Sequence, residues 1–133
     1  MQIVLSRCSG VTVIHIHGIL DGHGIGNLRD CLDRLLEAGQ TGAVLDFRRT
    51  RHIYFKVLPE LHALAERFEL RGGWLAVAGL SDYLLSIVRL QGLEDEMPVY
   101  GSPKEAVASL AAGPALGAGG RMAEVVAFPG LSR

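Results

Sequence analysis

GGWLAVAGLSDYLLSIVRLQG, residues 72–92, contains one strand and one helix together with their punctuation. Gly72 and Gly73 break what precedes them, and Trp74 to Ala78 is an apolar run of strand length. Ser81 can cap a helix in which Leu84, Ile87, Val88 and Gln91 share a face, and Gly92 closes it. A strand without polar alternation reads as buried on both faces, as strands are when helices connect parallel neighbours. The same unit stands upstream. Ala43 to Phe47 is a short apolar run with one acid, Asp46, and Leu58, Leu61, Leu64, Ala65 and Phe68 follow at helical spacing.

Further outward the pattern continues. Gln2 to Ser6 and the β-branched Val11 to His17 flank a Ser9-Gly10 turn, which predicts an antiparallel hairpin. Ile25, Leu28, Leu32, Leu35 and Leu36 then recur at helical spacing up to Gly39. Pro98 to Tyr100 can form a brief last strand. Ser102-Pro103-Lys104-Glu105 opens a last helix, with Ser102 as cap, Pro103 at the first helical position and Glu105 reaching back. The expected helices span 24–38, 57–71, 82–91 and 103–111. The order ββαβαβαβα predicts a single α/β domain over residues 1–112, with one mixed sheet of four or five strands flanked by helices. Residues 113–133 read as a Gly/Ala-rich tail, with the mildly apolar Met122 to Phe128 inside it.

Composition narrows the function. A chain of 133 residues suits one domain, and a net charge of −1 gives no electrostatic footprint for nucleic acid. The one basic cluster, Arg48, Arg49 and Arg51, reads as a solvated loop. Cys8 and Cys31, the only cysteines, lack metal spacing and fit reduced thiols. MQIVLSRC has no long apolar core of a secretory signal, and no apolar run approaches the ~20 residues of a spanning helix. A cytoplasmic protein is expected.

Residues 3 to 111 resemble the STAS family, the domains of anti-sigma factor antagonists. GILD at Gly18 to Asp21 resembles that family's strand-end motif, and AVLDF at 43–47 its central strand. GGWLAVAGLSD is similar to its glycine pair, strand and next helix. LQGLEDEMPVYGSPKEAVASL, residues 90–110, is similar to its late segment. The resemblance implies a non-enzymatic regulatory module whose partner is an anti-sigma factor or a related serine kinase. Scaffold or accessory subunits of stressosome or lipid-transport type belong to the same family and form the alternative. In typical members an Asp-Ser-x-Gly stretch opens the second helix, and its serine is phosphorylated. Tyr54, Phe55, Lys56 and Val57 occupy that stretch here. Phe55 has no hydroxyl, and Lys56 puts positive charge at a positive helix end. The serine switch is therefore expected to be absent. By resemblance Asp21 lies beside this position, and Asp21, Tyr54, Phe55, Lys56 and Val57 form the expected contact surface, for a partner or for a homodimer.

Other residue patterns suggest sharper chemistry. His15, His17 and His23 are three histidines close in sequence, but no acid or thiol stands at a spacing that completes a metal site, so no metal and no cofactor is expected. Gly22, Gly24 and Gly26 after a strand, with Asp46 about twenty residues on, imitate a dinucleotide fingerprint. The third glycine falls one residue early, where Asn27 should be glycine. Gly22, Gly24 and Asn27 thus predict a flexible strand-to-helix turn, with a small-ligand or nucleotide sensor as the function it would serve. Asp21 and Asp46 at strand ends fit a ligand edge or simple caps equally. No nucleophile elbow, Walker loop or paired-carboxylate motif is present in the sequence.

Overall fold

The computed structural model describes residues 1–95 and 97–112. The expected tail, 113–133, lies outside the described residues. The hairpin is β1 (Gln2–Cys8) and β2 (Val11–Leu20), antiparallel, with Ile3 opposite Ile16. Its turn residues Ser9 and Gly10 both have positive φ, 52° and 82°, the backbone twist that a two-residue hairpin favours. Then follow α1 (Gly22–Glu37), β3 (Gly42–Asp46), β4 (Thr50–Ile53), α2 (Leu58–Leu70), β5 (Trp74–Ala78), α3 (Asp82–Leu90), β6 (Val99–Tyr100) and α4 (Pro103–Ala112).

All strands join one mixed sheet of order β1-β2-β3-β5-β6. β2 is its hub. Thr12 to His15 pair in parallel with β3, and Gly18 to Leu20 pair in parallel with β4. Among the described residues the sheet has six strands, against the four or five expected. The addition is β4, whose Thr-Arg-His-Ile carries a charge and a histidine in four residues and so offers no apolar run. Part of the supposed basic loop is therefore strand: Arg51 stands in β4, exposed, while Arg48 and Arg49 precede it.

The sheet's two faces are covered unequally. Ile14, Ile16, Leu45, Leu75 and Val77 pack against α1, α2 and α3 in one large core that includes Leu28, Leu32, Leu61, Phe68 and Leu84. The opposite face carries a smaller core, in which Val11, Val13, Val44 and Ala78 meet Ala106 and Val107 of α4. Alternation along each strand assigns successive residues to these two faces. All of β3 is buried, as an inner strand covered on both faces must be. The Trp74 ring lies on Gly42, where any Cβ would collide with it.

Candidate functional site

β2 and β4 end side by side, and the Tyr54 N–H donates to the Leu20 carbonyl at 3.1 Å. Beyond Tyr54 a single 3-10 turn, Phe55–Val57, leads into α2. A 3-10 helix advances three residues per turn, so one residue in three faces inward. That residue is Val57, 1% exposed, next to the equally buried Leu58. Val57 was expected at the contact surface and instead belongs to the core. Tyr54 and Phe55 are 47% and 53% exposed, and Lys56 is exposed beside them.

These side chains line a groove of about 570 Å³ with His52, Ile53, Tyr83 and Ile87. The Tyr83 hydroxyl and His52 Nδ1 are hydrogen-bonded at 2.7 Å. The His52 ring meets Tyr54 edge-on, with centroids 4.9 Å apart, and stacks on Tyr83 at 5.7 Å. Tyr54 and Tyr83, from different elements, are thus tied through one imidazole. Two features set the groove: the β4-to-α2 turn, and the edge of α3 where Tyr83 and the buried Ile87 stand beside Leu84. The sequence reading missed His52, Ile53, Tyr83 and Ile87 as site residues. Tyr83, lying off the buried face of a helix with a clear apolar stripe, was the available signal.

Asp21 is not among the groove's lining residues. It caps α1, its Oδ1 accepting from the Gly24 N–H at 2.8 Å, and this bond holds the carboxyl below its ordinary pKa. The expected turn at Gly22, Gly24 and Asn27 is helix instead: the capped helix starts at Gly22 and takes in all three. An Asp at the cap satisfies a first-turn amide and lets the helix begin at once, despite the glycines.

A second polar group crosses the α4-side face. Ser6 of β1, His15 of β2 and Asp46 of β3 form a row, with Ser6 Oγ 2.8 Å from His15 Nε2 and His15 Nδ1 2.6 Å from Asp46 Oδ2. Asp46 is only 4% exposed and is clamped by Arg48, whose backbone N–H donates to Oδ1 at 3.0 Å and whose guanidinium reaches both oxygens at 3.1 to 3.3 Å. Burial alone would raise the Asp46 carboxyl. The Arg48 side-chain and backbone bonds and the His15 bond outweigh it and hold the carboxyl below its ordinary pKa. Both His15 ring nitrogens are thereby engaged. Among the described residues no group of three or more His, Cys, Asp or Glu side chains is placed to hold a metal ion. Cys8 and Cys31 are free thiols.

No helix of the described residues is long and apolar enough to cross a membrane. No curated protein matches the chain. Among solved structures it is similar to the anti-sigma factor antagonist SpoIIAA, a Bacillus cell-fate determinant, in its unphosphorylated form: 17% identity, TM-score 0.70, covering 82% of this chain and 96% of that one. It is similar to RsbS of Moorella thermoacetica at 15% identity and TM-score 0.73, covering 87% and 100% of the two chains. A sulfate transporter family protein from Wolinella succinogenes matches at 25% identity and TM-score 0.66, covering 74% and 83%. The family model described as "Mlab, STAS domain" matches residues 3–100, most of the chain, so this chain belongs to the STAS domain family.

Proposed function

We propose that this chain is a regulatory protein-binding module that holds its partner through the aromatic groove and is not switched by serine phosphorylation there. The observation that carries this reading is the exposure of Tyr54, Phe55 and Tyr83 around one groove. Exposed aromatics so grouped are favoured as interface anchors, because covering a ring removes much apolar area from water. By family resemblance the partner is an anti-sigma factor or a related serine kinase, met in the cytoplasm. Tyr54, Phe55 and Lys56 make the contact, with Asp21 near its border. Phe55 carries no hydroxyl for a kinase to modify, so the contact stands permanently.

The test is to incubate the protein with the partner kinase and ATP, then map phosphopeptides and measure binding. The expected result is no phosphate between Arg51 and Leu61, and the same affinity before and after. Phosphate on Tyr54 together with release of the partner would mean that the switch has moved by one residue. Likeness to a sulfate transporter family protein and to RsbS favours a second reading, an accessory or scaffold subunit in a larger assembly. Size measurement of the pure protein separates the two, since a scaffold self-associates without the kinase.

A further inference from the structure

We propose that Ser6 is an acylation site, a serine made nucleophilic by His15 and Asp46 that accepts the acyl group of a small activated ester. Three neighbouring strands set the residues in line. His15 pairs with Asp46 across β2 and β3, while Ser6 pairs with Val13, two residues from His15 on the same face. Strand periodicity therefore aims all three side chains to one side of the sheet.

The polarity of the row follows from the Asp46 clamp. Its carboxylate accepts from Arg48 at both oxygens and has no proton to give. His15 Nδ1 must then carry the hydrogen in the 2.6 Å bond to Asp46. In the neutral ring this leaves Nε2 as an acceptor, so the Ser6 hydroxyl donates to it across 2.8 Å. A hydroxyl on a base that a third group orients is the arrangement that activates serine nucleophiles. Gly79 maintains the clamp: a Cβ there would collide with the Arg48 side chain.

Among the described residues, access is open from the solvent side. Ser6 is exposed on β1, an edge strand among the described residues, and α4 packs over Val11, Val13, Val44 and Ala78 rather than over Ser6. In the step, Ser6 Oγ bonds to the acyl carbon and its proton passes to His15 Nε2. The bond from that carbon to the leaving oxygen breaks, and the proton moves to that oxygen. The products are acyl-Ser6 and an alcohol, with no redox partner required. Nucleophile and base are what these residues supply, so the expected product is one stable acyl group per chain. Asp46 acts through His15 and is a positioning residue.

The experiment treats the full chain with p-nitrophenyl acetate and maps acetylation by tandem mass spectrometry. One acetyl group on Ser6 is expected, absent in Ser6→Ala and restored as a thioester in Ser6→Cys. His15→Gln, with its fold verified by circular dichroism, should slow labelling by about a hundredfold, the usual worth of a positioned base. Nitrogen-15 NMR should show the His15 proton on Nδ1 in the wild type and on Nε2 in Asp46→Asn, a change that loss of packing alone would not produce. Labelling spread over lysines equally in wild type and Ser6→Ala would overturn the proposal. So would Ser6 labelling at the wild-type rate in a folded His15→Gln.

Discussion

Phe55 and Val57 are two residues apart and meet opposite surroundings, one half in water and the other closed into the core. Substituting Phe55 by Ser should therefore leave the melting temperature close to wild type. Leu58→Ala should cost about 2–5 kcal/mol, the range for a truncated core leucine. Thermal denaturation of the two variants side by side checks the pair, and an early-melting Phe55→Ser would mean that the ring is buried. Asp46 sets a second expectation. Its carboxyl is held below its ordinary pKa, so its stabilisation is complete above the unfolded value of about 4 and fades as pH falls through the folded value. Denaturation midpoints for wild type and Asp46→Asn should therefore differ at neutral pH and converge in acid. A difference constant down to strongly acid pH would contradict the clamp. At this scale the sequence was readable for Phe55, because a missing hydroxyl is visible in one letter. It marked His15 and Asp46 singly, for other chemistry, and was silent on their row with Ser6, because the three lie 9 and 31 residues apart and become neighbours only through strand register.

Among the elements, the helices were the most legible because their apolar spacing and caps agree. Ser81 accepts from the Leu84 N–H at 3.1 Å, as its position before an apolar stripe predicts. Ser81→Ala should destabilise the protein by about 1 kcal/mol, measurable by urea titration. Ser102 likewise accepts from the Glu105 N–H, while Glu105 reaches the Gly101 N–H, one residue beyond the usual capping box. β4 escaped because pairing, not composition, makes it a strand. Its backbone bonds to β2, and the buried Thr50 hydroxyl donates to the Ile16 carbonyl at 2.6 Å. A polar residue inside a four-residue strand reads as loop until its acceptor is known. Gly42 is a similar case: nothing nearby in sequence indicates that Trp74 will lie on it. Gly42→Ala should cost roughly 1–3 kcal/mol through overpacking and alter the Trp74 fluorescence. An unchanged spectrum and stability would mean that the ring moves aside freely.

At the scale of the molecule, the hairpin supplies the one antiparallel pairing among the described residues, and the parallel strands direct their carboxyl ends toward the turn that carries Tyr54 and Phe55. A mixed sheet with helices between its strands was implied by the alternation of strand and helix, whereas the strand order and the place of β4 beside β2 came only from the pairing. The groove was half legible. Tyr54, Phe55 and Lys56 were marked by their departure from the family's motif, whereas His52 and Tyr83 come from β4 and α3 and needed the fold to unite them. Self-association through the groove predicts a concentration-dependent size that Phe55→Ser abolishes, whereas partner recognition leaves the pure protein's size unaffected. Binding is the most direct measurement: the dissociation constants of wild type and Phe55→Ser for an anti-sigma factor kinase from the same organism, with melting temperatures taken on the same samples. Loss of a covered ring, worth about 2 kcal/mol, should weaken binding by about tenfold or more while melting stays put. Equal affinity for the two proteins, with both folded, would contradict the aromatic groove as the partner site.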